Sequence, residues 1–201
     1  MARVSEIFST ATLTPSKDEI LAQHFGPVVR VGEFRFVDPK GKVGIETFLV
    51  RESADGALLQ LPVTYREQRI NDKFEIATTE HSDLGTRYVT KVVADPVAVT
   101  EYIRVILEGD TNAERSDGKQ PPFQIRGTGT AGVDTLTVGN IHLKEITDTM
   151  IVGHVDINED HKPFSLSLPV HVAEAGADVG LALLAVDAET GQQWVLAELT
   201  I

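Results

Sequence analysis

Residues 43–66 read V-G-I-E-T-F-L-V-R-E-S-A-D-G-A-L-L-Q-L-P-V-T-Y-R. Apolar and polar residues alternate on both sides of a central S-A-D-G at 53–56, and a period of two is typical of β-strands. Asp and Gly at the centre are residues that favour turns. The stretch therefore predicts a β-hairpin with strands over 43–51 and 58–66.

The segments around this hairpin predict a fold of the α+β class, built mostly from antiparallel strands. A second hairpin is indicated over 74–79 and 87–93. The clearest helix follows over 96–108, because Asp95 can cap its N-terminus and Gly109 can close its C-terminus. A shorter helix is expected earlier in the chain, between Pro15 and Gly26.

The helix at 96–108 is predicted to have two faces of different character. Helical spacing places apolar residues on one side, and we expect that side to pack on the preceding sheet. Polar residues share the opposite side, which we expect to be exposed. The apolar residues are Val99, Tyr102, Ile103 and Ile106, and the polar ones are Glu101, Arg104 and Glu108.

Two pairs of sequence words suggest an internal repeat. V-G-E-F-R-F at 31–36 resembles V-G-N-I-H-L at 138–143, and L-Q-L-P-V at 59–63 resembles L-S-L-P-V at 166–170. Both pairs are related by the same offset of 107 residues, without a gap. We therefore predict a second β-rich half that duplicates the first.

This repeat divides the chain into three regions. The first half spans 1–109, and the second β-rich half spans 123–201. Between them, residues 110–122 are polar and end in two consecutive prolines, a composition that is typical of a linker.

Charge and composition limit the classes of partner. The chain has 30 acidic and 18 basic residues, a net charge of −12, which disfavours binding to nucleic acid or to anionic membranes. It has no cysteine, so disulfides and thiolate metal sites are excluded. The N-terminus lacks the apolar core of a signal peptide, and no apolar run approaches the ~20 residues of a membrane-spanning helix. The sequence predicts a cytoplasmic protein.

A glycine-rich motif at 127–132, G-T-G-T-A-G, matches the pattern G-x-G-x-x-G. A dinucleotide site needs such a loop to open a helix whose N-terminus meets the pyrophosphate. The following residues, V-D-T-L-T-V, favour a strand, so we interpret the motif as a turn between strands. No cofactor is predicted.

Asp156-Ile157-Asn158-Glu159-Asp160 begins like a calcium-binding loop, but His161 and Ser167 replace the glycine and the bidentate glutamate that such a loop needs. We interpret it as an acidic hairpin turn. His154 and Asp156 would share one face of a strand and supply two metal ligands, with a third required from elsewhere. No metal site is predicted.

A polar group at the tip of the second hairpin is the candidate interaction surface: Glu80, His81 and Asp83. Turn residues are exposed and are held in place by the adjoining strands. The alternative is a turn stabilised by its own Ser and Asp side chains. Ser82 lacks the G-x-S-x-G context of a hydrolase nucleophile, and the sequence predicts no catalytic residues.

Several of these words together resemble the N-terminal cap of maltokinases, over about residues 30–109. They are V-G-I-E-T-F-L-V-R (43–51), L-L-Q-L-P-V-T-Y-R (58–66), T-E-H-S-D-L-G-T-R-Y-V (79–89) and D-P-V (95–97). The resemblance implies a cystatin-like element, in which a helix packs on a curved antiparallel sheet. Maltokinases also have a kinase body with an H-G-D-type catalytic loop, and residues 110–201 are too few and too rich in strands to form one.

The favoured hypothesis is a non-enzymatic, cap-like module that binds or regulates a protein partner. Family resemblance alone connects that partner with α-glucan or trehalose metabolism. The alternative is a protein that binds a small molecule, such as a sugar or an apolar ligand, or an unrecognised enzyme. That alternative requires a pocket between helix and sheet.

Overall fold

The structure is a computed structural model that describes residues 3–5, 10–118 and 121–201. The helices are α1 (Lys17–Phe25) and α2 (Pro96–Glu108), and a 3-10 turn at Val92–Ala94 precedes α2. The strands are β1 (Val4–Ser5), β2 (Leu13–Thr14), β3 (Val29–Val37), β4 (Gly44–Arg51), β5 (Leu59–Arg66), β6 (Glu75–His81), β7 (Gly85–Lys91), β8 (Glu114–Arg115), β9 (Phe123–Gly127), β10 (Val138–Ile146), β11 (Met150–Ile157), β12 (Asp160–Ser167), β13 (Ala173–Glu174), β14 (Ala182–Asp187) and β15 (Gln193–Thr200). Parts of the predicted first region and linker lie outside the described residues: 1–2, 6–9 and 119–120.

Two antiparallel sheets form most of the molecule, which confirms the α+β class dominated by antiparallel strands. The first has the order β3-β4-β5-β7-β6-β2, and the second has the order β10-β11-β12-β15-β14-β9, with β13 added beside β15. If β13 is left out and the six strands of each sheet are renumbered from 1 to 6 in chain order, the two sheets have the same strand order. Strands β1 and β8 form a separate parallel pair.

The elements predicted from sequence pattern are confirmed close to their expected bounds. Both hairpins of the first half form, as β4 with β5 and β6 with β7. Helix α2 begins and ends where its caps predict: the Asp95 side chain accepts a hydrogen bond from the Val97 amide, and Gly109 closes the last turn. Ser16 caps α1 in a reciprocal arrangement with Glu19.

The first sheet is covered on both faces. Ile20 and Leu21 of α1 pack on one face, against side chains such as Phe48 and Leu61. The other face contributes Phe34 and other residues to a larger core that it shares with α2 and the second sheet. Both predicted halves therefore contribute to the main core.

Helix α2 lies between the two sheets, and its surroundings differ from the expectation. It contacts β3 of the first sheet and β9, β10 and β14 of the second. The four residues of the predicted apolar face are fully buried, as expected. The polar face, predicted to be exposed, is also buried. Its side chains have partners in Arg3, in Asp110 and in the loop before β10.

The two sheets meet through the buried amide of Gln60 in β5. Its Nε2 donates hydrogen bonds to the carbonyl oxygens of Pro169 (2.8 Å) and Leu196 (2.6 Å). The backbone amide of Gln60 donates to the carbonyl of Val170 at 2.9 Å. The similar words L-Q-L-P-V and L-S-L-P-V thus lie side by side at the sheet junction.

These two words are not equivalent by strand register. Leu59 of β5 pairs with Val50, whereas Leu166 of β12 pairs with Ile151, a residue that the offset of 107 would match to Gly44. The second word also leaves β12 after Ser167, while the first lies entirely within β5. The constant offset expected from the sequence therefore does not hold in this hairpin, because the turn between β11 and β12 is much shorter.

We predict that Ile103→Ala lowers the free energy of unfolding by about 2–5 kcal/mol, because Ile103 is fully buried between the sheets. Ile70→Ala is a matched control, since Ile70 is 39% exposed. It should change stability by less than about 0.5 kcal/mol. Urea unfolding of both variants tests this, and equal effects would contradict the placement of α2.

Candidate functional site

The tip of the β6–β7 hairpin is stabilised by its own side chains. The His81 Nδ1 atom accepts hydrogen bonds from the amides of Asp83 (3.2 Å) and Leu84 (3.3 Å). Ser82 Oγ donates to Asp83 Oδ1 at 2.9 Å, and Thr86 donates to Glu80 Oε1 at 2.7 Å. Each of the three predicted interaction residues therefore also has a role within the turn.

Leu84 is the residue at this tip that the sequence interpretation missed. Leu84 follows Asp83 and precedes Gly85 in the turn, and its side chain is 42% exposed. An apolar residue at the exposed end of a hairpin was visible in the sequence, but it is a weak signal because single exposed leucines are common. The structure places Leu84 beside Glu80, His81 and Asp83 on one protruding turn, which we call the tip surface.

The buried polar face of α2 centres on the Arg104 guanidinium. Its Nη1 lies 2.6 Å from Glu108 Oε2 and 2.7 Å from Asp110 Oδ2, and its Nε lies 2.9 Å from Glu101 Oε2. Arg3 adds a further contact with Glu101 at 3.0 Å. Burial raises the pKa of Glu101, and the neighbouring Arg104 and Arg3 oppose that effect. The cluster is closed and structural, and it attaches the N-terminal strand to α2.

We predict that Glu101→Ala destabilises the fold by about 1–3 kcal/mol, because it removes a buried acceptor from both Arg104 and Arg3. The exposed polar face expected from the sequence would make this substitution almost neutral. Glu52→Ala, at an exposed site, is the control. Thermal unfolding should separate the two variants, and two silent substitutions would show that the cluster adds no stability.

The glycine-rich loop at 127–132 meets the C-terminal end of α2. The amide of Gly129 donates to the carbonyl of Ile106 at 2.8 Å, and the amide of Gly127 donates to the carbonyl of Asp110 at 2.8 Å. Carbonyl groups at this end of a helix carry partial negative charge, which opposes the binding of phosphate. The motif is therefore a connection that supplies amide donors to the end of α2.

Close backbone approach explains the glycines at 127 and 129. A Cβ atom at Gly129 would overlap the carbonyl oxygen of Leu107, and one at Gly127 would overlap that of Val105. We predict that Gly129→Ala destabilises the protein by about 1–3 kcal/mol. Gly139→Ala is the matched control, because open space surrounds that position and it should be nearly neutral. Urea unfolding measures both, and a neutral Gly129→Ala would contradict the close contact.

A second charged network lies between α1 and the first sheet, at the glutamate of the G-I-E-T word. Glu46 Oε1 accepts from Lys17 Nζ at 2.7 Å and from Arg35 Nε at 2.9 Å. Burial alone would raise the pKa of Glu46, but the two cations lower it below its usual value. The Tyr65 hydroxyl is also buried here, and burial together with Glu46 raises its pKa well above the usual value. The network holds α1 on the sheet.

The predicted acidic hairpin turn is confirmed between β11 and β12. Asn158 and Glu159 both have positive φ, at 50° and 74°, which is the backbone of a tight two-residue hairpin turn. Asp156 precedes the turn, and its side chain pairs with His161. In the described part of the chain, no three His, Asp or Glu side chains are arranged to hold one metal ion.

Two concave regions lie away from α2. A cleft of about 20 Å³ at the sheet junction is lined by residues that include His24, Gln60 and Lys91. This volume suits a single water molecule. An open groove of about 280 Å³ runs beside β3, between Arg30 and Pro122. The cleft lies between His24 of α1 and β5, but it is too small for a sugar, and no residue of α2 lines either region.

The architecture defines a protein of two antiparallel sheets around a central helix, with the first sheet carrying the recognisable words. Residues 17–95 match the family model of the maltokinase N-terminal cap domain. The resemblance inferred from the sequence is thereby confirmed, over a region from α1 to the residue that caps α2. No curated protein matches the chain. Among the described helices, none has the length and apolar character needed to cross a bilayer.

Proposed function

We propose that this protein is a non-enzymatic, cap-like interaction or regulatory module that acts on a protein partner in the cytoplasm. The observation that supports this most directly is the filled space around α2. Tyr102, Ile103 and Ile106 are fully buried between the sheets, where the alternative hypothesis needs a ligand cavity. The Tyr102 hydroxyl also has an internal partner in Thr47.

The partner is proposed to be a protein rather than nucleic acid or a membrane, because the net charge of −12 repels polyanions and anionic lipid. The likeness of residues 17–95 to a maltokinase cap supports a role in α-glucan or trehalose metabolism, by family analogy alone. We place the contact at the tip surface, where Leu84 offers apolar area within an acidic turn.

We also infer that the second half arose by duplication of a cystatin-like first half. The common strand order of the two sheets supports this inference. The shift in register between the two hairpins requires an insertion or deletion in the β4–β5 or β11–β12 turn. The second sheet lacks a counterpart to α1, because residues 128–137 connect β9 to β10 without a helix.

The alternative, a small-molecule binder or an unrecognised enzyme, is tested by calorimetry on the purified protein. Magnesium-ATP, maltose and trehalose should give no saturable heat, alone or in combination. A phosphoryl-transfer enzyme needs a metal-holding site and a cradle for phosphates, and the glycine-rich loop is occupied by α2. Saturable binding of any of these ligands would favour the alternative.

We predict that a photo-crosslinking amino acid at position 84 captures a discrete protein partner in the native cell. Val133 is a matched control position, because it is 47% exposed in a separate loop. A single adduct should form at position 84 and not at position 133. Adducts of equal yield at both positions, or none at position 84, would contradict the tip surface as the contact.

Substitution of Leu84 then separates contact from stability. The variant Leu84→Asp, without a crosslinker, should no longer co-purify with the partner that position 84 captured. Its melting temperature should be unchanged, because the Leu84 side chain is exposed. His81→Ala is less informative, since it removes the acceptor of two turn amides. Retention of the partner by Leu84→Asp would contradict the proposal.

A further inference from the structure

The outer face of the second sheet gathers three of the six histidines of the chain. His142 of β10 is directly opposite His154 of β11, so the two side chains point to the same face. His161 of β12 lies on the same face, because it is directly opposite Asp156, which follows His154 by two residues in β11. Its ring stacks on that of His154, with centroids 4.8 Å apart and planes within 9°.

One carboxylate stands among these imidazoles. Asp156 Oδ1 lies 2.7 Å from His161 Nδ1, and Asp156 Oδ2 accepts a hydrogen bond from Asn140 at 2.9 Å. The Asp156 carboxylate can therefore form an ion pair with a protonated His161, and its second oxygen already accepts the hydrogen bond from Asn140. His154 has no carboxylate in an equivalent position among the described residues.

The other charged groups near His154 come from β10. Lys144 adds a positive charge close to the imidazole, and Glu145 lies further along the face, opposite Val152. On the β12 side, Pro163 pairs with His154 and brings no charge. Partial burial lowers the pKa of His154, and Lys144, His161 and His142 lower it further.

We propose that this face is a pH-sensitive switch, in which the ring stack breaks when both His154 and His161 carry a proton. Two protonated imidazoles cannot remain face to face at 4.8 Å without repulsion. The switch changes the charge of one exposed face in the range where histidines titrate. This inference is independent of the proposed partner and of the tip surface.

The effect on stability has a definite sign. The pKa of His154 is lower in the folded protein than in an unfolded chain, so the folded state binds this proton less readily. Stability is therefore unaffected at high pH and is lost as the pH falls through the ordinary range of histidine. Removal of the His154 imidazole should remove this part of the acid sensitivity.

Imidazole NMR titration of the full-length protein tests the switch directly. His154 should titrate below the ordinary value of histidine in the wild type. In His161→Gln its midpoint should move upward, because the stacked ring and its charge are gone. His171→Gln is the matched control, since His171 is exposed outside the cluster, and it should leave the midpoint of His154 unchanged.

Urea unfolding at about pH 7.5 and about pH 5 provides an independent readout. His154→Gln should lose less stability between the two conditions than the wild type or His171→Gln. A wild-type His154 that titrates at the ordinary value, or a midpoint that His161→Gln does not move, would overturn the proposal. Equal acid sensitivity of all three proteins would overturn it as well.

Discussion

The burial of both the apolar face and the charged face of α2 is the constraint on which the other features depend. A helix between two sheets must find partners for its polar groups inside the protein, because water is excluded from them. Arg66 makes two hydrogen bonds of 2.6 Å to Asp95, the residue that caps the helix. Within the helix, the Arg104 guanidinium forms ion pairs with nearby carboxylates. At the C-terminal end, the glycine-rich loop supplies amide donors to the helix carbonyls. The partners from outside the helix, which are Arg66, Arg3 and the glycine-rich loop, come from different parts of the chain, so the helix fixes their relative positions.

The sequence predicted local structure well where short-range chemistry decides it. The hairpins follow from alternation and turn residues, and the bounds of α2 follow from Asp95 and Gly109. The prediction that the polar face of α2 is exposed was wrong. Helical periodicity shows which side of a helix is polar, but not whether that side faces water or a distant protein group. Here Glu101 faces Arg3, which is 98 residues away in the chain. The ungapped offset between the two similar words does not hold in strand register, because register depends on turn length and the two turns differ.

The candidate site was only partly predictable for the same reason. The tip surface is contiguous in sequence, so Glu80, His81 and Asp83 could be grouped before the structure was known. The histidine cluster joins three strands, and its alignment depends on bulges in β10 that no sequence pattern indicates. The glycine-rich loop shows the opposite case: a familiar motif has a purely architectural cause, the approach of two backbones at Gly129.

The bridge made by Gln60 has a consequence for any attempt to transplant the cap-like half. Its amide is completely buried and satisfies carbonyls from two separate segments of the second half, Pro169 and Leu196. A fragment that stopped at Gly109 would leave this amide, and the apolar side of the first sheet around Phe34, facing water. Such a fragment would aggregate or recruit a substitute surface. The recognisable cap region is therefore not a portable unit in this chain, and fusions or chimaeras should carry both sheets together.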